Sequence, residues 1–441
     1  MSKKRMRINS PSFSDCICLH GKGQFLIALF FCFLFVSCSQ VLPVAEEKKD
    51  PSAYIGAALP EVQSVGLQTL KNGGNAADAA TAMLFMQAVH LPSRAGLGAG
   101  GVCQVFNPSE RKVQTLNFLP TPIAQDIGVP SLARALFSLQ NNYGTARWAD
   151  LLFPAQKAAE NGISVSKQLA EDAQKAAFLT LTEEEIFRQS TLAQTLKKLA
   201  VSGSGILYKG TDAEKIAKGR SVDLKKLAAF KATWTDSIEI SSVRGKSYFP
   251  NLAIFGAGAY PIWENLIDLD SAEKYKAAKD ELKKLDEQAV YVGESIYGSN
   301  IIAVDTNGMT VICSVTMGNV FGSGKEVSSL GFYLPESIDE TKFSAHLLNL
   351  LQTNSAQSEM TYALSVIGDY ALHDGMIAAQ EDILNLRTVK QSLAVAQKHL
   401  PVDRKAVLNH MPVLSCRNGA LTHPASCNAN DLVKSLEKEE R

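Results

Sequence analysis

The sequence predicts an α+β protein, in which helix-rich and strand-rich stretches follow one another along the chain. An alanine-rich segment from Ala76 to His90 has the composition of a buried helix. Residues 128–230 have a mostly helical pattern, broken by glycines. Two apolar, β-branched runs flank the polar turn Asp305–Gly308, which is typical of a β-hairpin.

Two helices are predicted near the start of the globular part. Apolar residues recur at helical spacing from Val62 to Leu70, and Gly73-Gly74 marks the end of this helix. Asn75 is the predicted N-cap of the alanine-rich helix that follows. Alanine on several faces allows close packing on all sides, so we expect this helix to be buried between layers.

A glycine-rich segment, Gly96–Gly101, leads into predicted strands at Val102–Phe106 and Lys112–Phe118. Phosphate-binding glycine loops open a helix, whereas this one precedes a strand. We therefore predict no phosphate site here. Residues 234–257 are also rich in strand-forming residues.

The composition excludes several classes of function. The chain has 441 residues, 46% of them hydrophobic, and its 44 lysines and arginines balance 44 aspartates and glutamates. With no basic surplus, no nucleic-acid partner is expected. The seven histidines show no metal-ligand spacing, so we predict no metal and no cofactor.

Residues 1–38 have the features of an export signal. Basic residues precede the apolar run Phe25–Val36, which is too short to span a bilayer comfortably. The run ends in a lipobox-like sequence at Cys38, which predicts a lipoprotein of the bacterial cell envelope that faces the periplasm and is held to the membrane by its lipid. Ordinary secretion with cleavage elsewhere and an uncleaved anchor are the alternatives. Residues 39–52 are polar and form a predicted tether.

Four cysteines follow this segment. Cys103 and Cys313 lie in apolar, strand-like runs and are interpreted as small buried hydrophobic residues. Cys416 and Cys427 lie in a tail rich in proline, asparagine and glycine. In an oxidising compartment these two are candidates for a loop-closing disulfide, and two free thiols are the alternative.

Three segments together resemble the γ-glutamyltransferase family, whose members hydrolyse or transfer the γ-glutamyl group of glutathione and related amides. They are residues 66–101, 128–166 and 303–324, the last reading AVDTNGMTVICSVTMGNVFGSG. The resemblance covers nearly the whole chain after the leader and weakens after residue 325. By this resemblance, helical segments of the family are missing between about 265 and 290.

This resemblance implies an N-terminal-nucleophile hydrolase fold, a four-layer αββα sandwich with two sheets face to face between helices. Residues 53–441 would form one such domain, with 53–297 like the family's large subunit and 298–441 like its small subunit. Family members cut themselves. The threonine after the cut becomes the nucleophile, and its own free amine serves as the base.

Counting back from the Asp305–Gly308 turn puts Gly298 at the family's nucleophile position, Ser299 at the next one and Asn300 at that of a histidine. Glycine has no hydroxyl and cannot attack an amide. Ser299 is a candidate shifted nucleophile only if the strand slips by one residue or bulges, because a slip sends the side chain to the opposite face.

Two further family features are altered. Leu119 and Pro120 stand where the resemblance places an arginine–glutamate pair that holds the substrate carboxylate. Residues 365–375 stand where it places paired oxyanion-hole glycines, and those glycines are absent.

Other positions resemble the family's. Thr316 matches a threonine that supports the nucleophile, and an ordinary strand residue is the alternative interpretation. Glu340 matches an aspartate that binds the substrate amine, and Ser358 matches a serine near the substrate carboxylate.

Three hypotheses follow. The first is a catalytically degenerate family member that stays uncut and acts as a scaffold or as a binding module for a small γ-glutamyl or amino-acid-like ligand. The second is an active amidohydrolase that uses Ser299. The third is one half of a heteromer with an active paralogue.

Overall fold

The computed structural model describes residues 52–242, 244–252, 297–338, 347–368, 371–398, 411–430 and 432–434, and the single residues 263, 273, 276, 277 and 280. All of them belong to one compact unit. The leader with Cys38, and Glu340, lie outside these described residues. Within the described part, no helix combines the length and the apolar character needed to cross a membrane.

The described helices are numbered in chain order. Helices α1 to α11 span Pro60–Lys71, Ala76–His90, Pro92–Ala95, Leu132–Tyr143, Trp148–Asn161, Lys167–Ala176, Ser190–Ser202, Gly210–Ala217, Leu224–Ala229, Ala371–Ile383 and Val389–Lys398. Short 3₁₀ turns lie at Ser204–Leu207 and Pro424–Ser426.

The described strands are numbered in the same way. Strands β1 to β10 span Tyr54–Ala57, Gly100–Asn107, Lys112–Asn117, Pro122–Ala124, Ile127–Gly128, Ile163–Ser164, Ile186–Phe187, Thr233–Asp236, Ile238–Ser242 and Gly245–Phe249. Strands β11 to β19 span Tyr297–Val304, Thr310–Gly318, Glu326–Val327, Phe332–Tyr333, Leu347–Thr353, Met360–Ile367, Val413–Cys416, Cys427–Asn430 and Leu432–Lys434.

Two large antiparallel sheets form the centre of the fold. The first has the order β19-β1-β11-β12-β2-β3-β8, and the second has the order β18-β17-β16-β15-β10-β9. The predicted hairpin is present as β11 and β12, and it lies in the middle of the first sheet. Three small two-stranded ribbons pair β4 with β5, β6 with β7, and β13 with β14.

Strand β11 shows how the layers are arranged. Its residues Ile301 and Ala303 belong to the same apolar core as the buried helix α2. The alternating residues Ile302 and Val304 instead pack with residues of the second sheet. Because successive strand residues point to opposite faces, α2 covers the outer face of the first sheet while the second sheet covers its inner face.

The second sheet is covered in the same way. Leu364 and Val366 of β16 pack with Met376 and Ile377 of α10. The layers are therefore helix, sheet, sheet, helix, and the predicted α+β four-layer sandwich is confirmed. This architecture places the beginning of β11 beside the end of β16.

The capping of α2 ties this helix to the central hairpin. Asn75 Oδ1 accepts hydrogen bonds from the backbone of Ala77 and Asp78, so the predicted N-cap is confirmed. Asp305 Oδ2 accepts another from the Ala76 amide at 3.0 Å. Asp305 Oδ1 accepts one from the Asn307 amide at 2.8 Å within the turn. One buried carboxylate thus fixes both the hairpin turn and the start of the helix.

Candidate functional site

Gly298 lies at the second residue of β11, where it faces the second sheet. A Cβ atom placed on it would overlap the Ile367 side chain of β16 and lie 2.5 Å from the Val315 carbonyl oxygen. The side-chain contact could move, but the backbone carbonyl belongs to the neighbouring strand of the same sheet. A threonine therefore does not fit this position without a shift of the backbone.

Ser299 faces the opposite side of the sheet. Its hydroxyl accepts a hydrogen bond of 2.9 Å from Gln87 Nε2 of α2, and its side chain is buried. Gln87 is a neutral amide and cannot take a proton from a serine. In the part of the chain that the structure describes, no ionisable group is hydrogen-bonded to this hydroxyl, so the uncut chain lacks the activation that a serine nucleophile needs.

Thr316 is fully buried opposite Gly298 in strand β12. Its hydroxyl donates to the Tyr297 carbonyl at 2.6 Å and accepts from the Gly318 amide at 2.8 Å. The register between β11 and β12 shifts at Tyr297/Gly298. Thr316 therefore holds the irregular backbone at which β11 begins, and this structural role accounts for its contacts.

Asn300, at the position of the family's histidine, joins a polar cluster between the two sheets. Its Nδ2 donates to the Ser365 carbonyl at 2.5 Å. Ser314 and Ser365 both donate to Asn349 Oδ1, at 2.8 and 2.7 Å. This cluster was not predicted from the sequence, although an asparagine inside the apolar run LLNLL of β15 was a signal for it.

Two cations flank the entrance to β11. The Tyr297 ring lies 5.4 Å from the Arg94 guanidinium, and its hydroxyl is hydrogen-bonded to the exposed Lys175. Arg94 also makes a bidentate pair with Asp172, at 2.7 and 2.9 Å. The aromatic ring thus covers the outer end of the strand, and Lys175 leaves a positive charge at this edge.

The position of the expected carboxylate clamp is apolar. Leu119 is 5% exposed and packs in the core of the second sheet. The Pro120 carbonyl accepts a hydrogen bond of 3.1 Å from the Ile338 amide. No guanidinium stands at these two positions, so they cannot bind a carboxylate in the bidentate way that the resemblance implies.

Ser358, which the resemblance places near a substrate carboxylate, does not lie near Gly298. It lies in the turn between β15 and β16, where its hydroxyl accepts a hydrogen bond of 2.8 Å from Asn354 Nδ2. Ile367, the neighbour of Gly298, is at the other end of β16. An eight-residue strand is roughly 25 Å long, so the two positions cannot share one small ligand.

The cysteines form two disulfides. Cys416 and Cys427 are bonded, as the disulfide interpretation expected. Cys103 and Cys313 are buried as predicted, but they are also bonded to each other, which was not predicted from the sequence. They lie directly opposite each other on β2 and β12. The described residues contain no cluster of three or more metal-binding side chains.

Comparison with known proteins agrees with the resemblance. The family model described as gamma-glutamyltranspeptidase matches residues 63–122 and 119–248. A glutathione hydrolase proenzyme of Pseudomonas aeruginosa is 24% identical over 370 residues, which cover 64% of this chain and 66% of that protein. One from Escherichia coli is 30% identical over 212 residues, 38% of this chain and 37% of that protein.

The match thus spans less than two thirds of these curated relatives. A cephalosporin acylase from Bacillus halodurans has a similar fold, with a TM-score of 0.68 and 17% identity over 89% of this chain and 97% of that one. The fold and the sequence matches agree with each other. The family model over residues 63–248, these relatives and the shared fold together support a divergent member of the γ-glutamyltransferase family.

Proposed function

We propose that this chain is a catalytically degenerate γ-glutamyltransferase relative that stays uncut and serves as a scaffold or binding protein. The observation that carries the proposal is Gly298, which has no hydroxyl and is enclosed by Ile367 and the Val315 carbonyl. Without a nucleophile at this position, neither self-cleavage nor attack on a γ-glutamyl amide can follow the family's route.

Two further features support the proposal. Leu119 replaces the guanidinium that would hold a substrate carboxylate, and it is packed in the core rather than facing a ligand. Ser299 is hydrogen-bonded to a neutral amide on the helix side of the sheet. The nucleophile and the carboxylate clamp are therefore altered together, and within the described part of the chain the neighbouring Ser299 hydroxyl has no base beside it.

The proposed location follows from the leader. Lipidation at Cys38 would hold the protein at the bacterial envelope membrane, facing the periplasm, and residues 39–52 would act as the tether. A small γ-glutamyl or amino-acid-like molecule is the proposed ligand class. An active paralogue is a possible partner, which would supply the chemistry that this chain lacks.

The intact mass of the freshly purified mature chain tests this proposal. We expect one species of full mature length, because no residue is available to start self-cleavage. The Ser299→Ala variant is the matched control, and it should give the same single species. Two fragments divided before Gly298 or Ser299 would contradict the proposal, and the first residue of the second fragment would identify the nucleophile.

An active amidohydrolase that uses Ser299 is the second candidate. It is favoured by the intact central hairpin and by Thr316, which still supports the backbone at the start of β11. This candidate requires that cleavage or a local shift bring a base to the Ser299 hydroxyl. If amide hydrolysis is detected and Ser299→Ala abolishes it, the second candidate replaces the first.

A further inference from the structure

A cavity of about 280 Å³ lies at the second sheet, far from Gly298. Its sheet side includes Gln352, Tyr362 and Ser415, which are paired neighbours on β15, β16 and β17. Its helix side includes Asp382 from the last turn of α10. The cavity therefore lies between the outer face of the sheet and the end of the helix that covers it.

Asp382 is the charged group deepest in this cavity. Its side chain is 1% exposed, and its Oδ1 accepts a hydrogen bond of 2.5 Å from the Ser415 hydroxyl. Its Oδ2 has no hydrogen-bond partner among the described residues. Burial raises the pKa of Asp382 to about 6, against the opposing effects of Ser415 and Arg417. A buried carboxylate oxygen without a partner is costly, which makes it a strong acceptor for a ligand.

Arg417 provides the complementary group. Its Nε lies 3.8 Å from Asp382 Oδ1, which is too far for a hydrogen bond, and this Nε has no other partner in the described part of the chain. Arg244 also lines the cavity, and it is exposed. Among the described residues, the cavity thus holds one acceptor without a donor, Asp382 Oδ2, and one donor without an acceptor, Arg417 Nε. The two arginines place positive charge towards its rim.

We propose that this cavity binds a small zwitterion of the size of a free amino acid, with its ammonium group on Asp382 Oδ2 and its carboxylate on Arg417 and Arg244. A single molecule of this type satisfies both unpartnered atoms. A simple amine would be repelled by the two arginines, because it has no negative charge to pair with them. A simple carboxylate would be repelled by Asp382. The cavity volume is at the small end for ligand sites, which excludes larger substrates.

This site is separate from the start of β11 and does not depend on the proposed function. Tyr362 and Ile367 are five residues apart on β16, or roughly 17 Å. Ile367 faces the first sheet, whereas Tyr362 packs on the helix side. The protein could therefore bind a zwitterion here whether or not the family's chemistry survives at Ser299.

Calorimetric titration of the full mature chain with the twenty standard L-amino acids, one at a time, tests the proposal. Ethylamine and propionate, which each carry one of the two charges, are the reference probes. We expect at least one amino acid to bind with one-to-one stoichiometry, and both reference probes to bind at least tenfold more weakly. If ethylamine or propionate binds as tightly as the amino acid, the proposal that the ligand is a zwitterion is wrong.

Two variants locate the binding. Asp382→Asn keeps the size of the side chain and should lower the affinity for the amino acid at least tenfold. Arg417→Gln should lower the affinity by the same factor from the more exposed side of the cavity. The matched control is Asp126→Asn, at an exposed turn between β4 and β5, which should leave the affinity unchanged. Circular dichroism checks that each variant is folded. If Asp382→Asn does not fold, the affinity of Arg417→Gln alone tests the proposed site. If no amino acid binds, or if a folded cavity variant binds as the unmodified chain does, the proposal is wrong.

Discussion

The two ends of strand β16 differ in how the surrounding space is filled. At one end, Ile367 packs onto Gly298 and leaves no room for a side chain at the family's nucleophile position. At the other end, Asp382 and Arg417 line an open cavity, and each has a polar atom without a partner. One end is closed by apolar packing, and the other remains polar and open.

Under the proposed function, this difference separates a degenerate site from a candidate one. Apolar packing at the start of β11 stabilises the fold. A buried carboxylate with a free oxygen does the opposite and lowers stability, since an apolar residue of similar size is often no worse for the fold. Asp382 is therefore better explained by a ligand than by the stability of the second sheet.

The disulfides give the largest expected effects. Replacing both Cys103 and Cys313 by alanine should lower the free energy of unfolding by about 5 kcal/mol, because this bond closes a very long loop. The bond between Cys416 and Cys427 spans only 11 positions, against 210 for the other, so the same change there should cost about 3 kcal/mol. Urea unfolding of both double variants without reductant measures the difference. Equal losses would show that loop length does not govern their contributions.

Gly298→Thr tests whether the end of β16 at Ile367 can accommodate a side chain at position 298. Overpacking typically costs about 1–3 kcal/mol, and contact with the Val315 carbonyl places this change at about 3 kcal/mol. The double variant with Ile367→Ala should lose less than the sum of the two single variants, because the removed side chain leaves room for the threonine. Urea unfolding measures all three.

The same variants show whether position 298 lacks only a hydroxyl group or also lacks the space for a threonine side chain. We expect the intact mass of Gly298→Thr to remain that of one uncut chain, because the Val315 carbonyl prevents the threonine from taking its place without a shift of the backbone. Additive losses in the unfolding experiment would mean that Ile367 does not close this position. Self-cleavage of the threonine variant would show that only the hydroxyl has been lost.

Asp382→Asn should stabilise the free protein in a pH-dependent way. The pKa of Asp382 is raised from 3.8 to about 6, so the folded chain holds this proton more tightly than the unfolded chain, and stability from this group is lost as pH rises through that window. The gain on substitution should be near zero at about pH 4 and reach about 3 kcal/mol at about pH 7.5, at about 1.4 kcal/mol per pKa unit. Urea unfolding at both pH values checks this.

The charged neighbours of Asp382 refine this prediction. Arg417 opposes the effect of burial on the pKa, so Arg417→Gln should raise the pKa of Asp382 further and enlarge the pH-dependent gain. A gain that does not change between the two pH values would mean that the Asp382 carboxylate is solvated in the folded chain and not buried.

Much of the fold could be predicted from local sequence. The Asn75 cap and the Asp305–Gly308 turn depend on residues close in sequence, and each uses its own side chain to hold the backbone. The place of Gly298 near the start of the hairpin also follows from the turn, because β11 pairs with β12 without a shift from Gly298 to Val304. These features are readable since a few neighbouring residues determine them.

The remaining features depend on tertiary register and packing. The bond between Cys103 and Cys313 requires β2 and β12 to align across 210 residues, which no local pattern specifies. The place of Ser358 depends on which residues form the β15–β16 turn. From the sequence alone, Asp382 would be predicted to be a surface residue on an amphipathic helix. Only its packing against Ser415 in the structure shows that it is buried.

Thr316→Val is expected to have the smallest effect of these changes, and it tests why a threonine stands opposite Gly298. Valine has a similar shape but leaves the Tyr297 carbonyl and the buried Gly318 amide without their partner, which should cost about 2 kcal/mol. Thr316→Ser keeps the hydroxyl and should lose about 1 kcal/mol from the missing methyl. Urea unfolding and hydrogen exchange at the Gly318 amide measure both. If valine proves neutral, stability does not explain the threonine, and the Ser299 alternative gains support, because the hydroxyl would then be kept for chemistry at the start of β11.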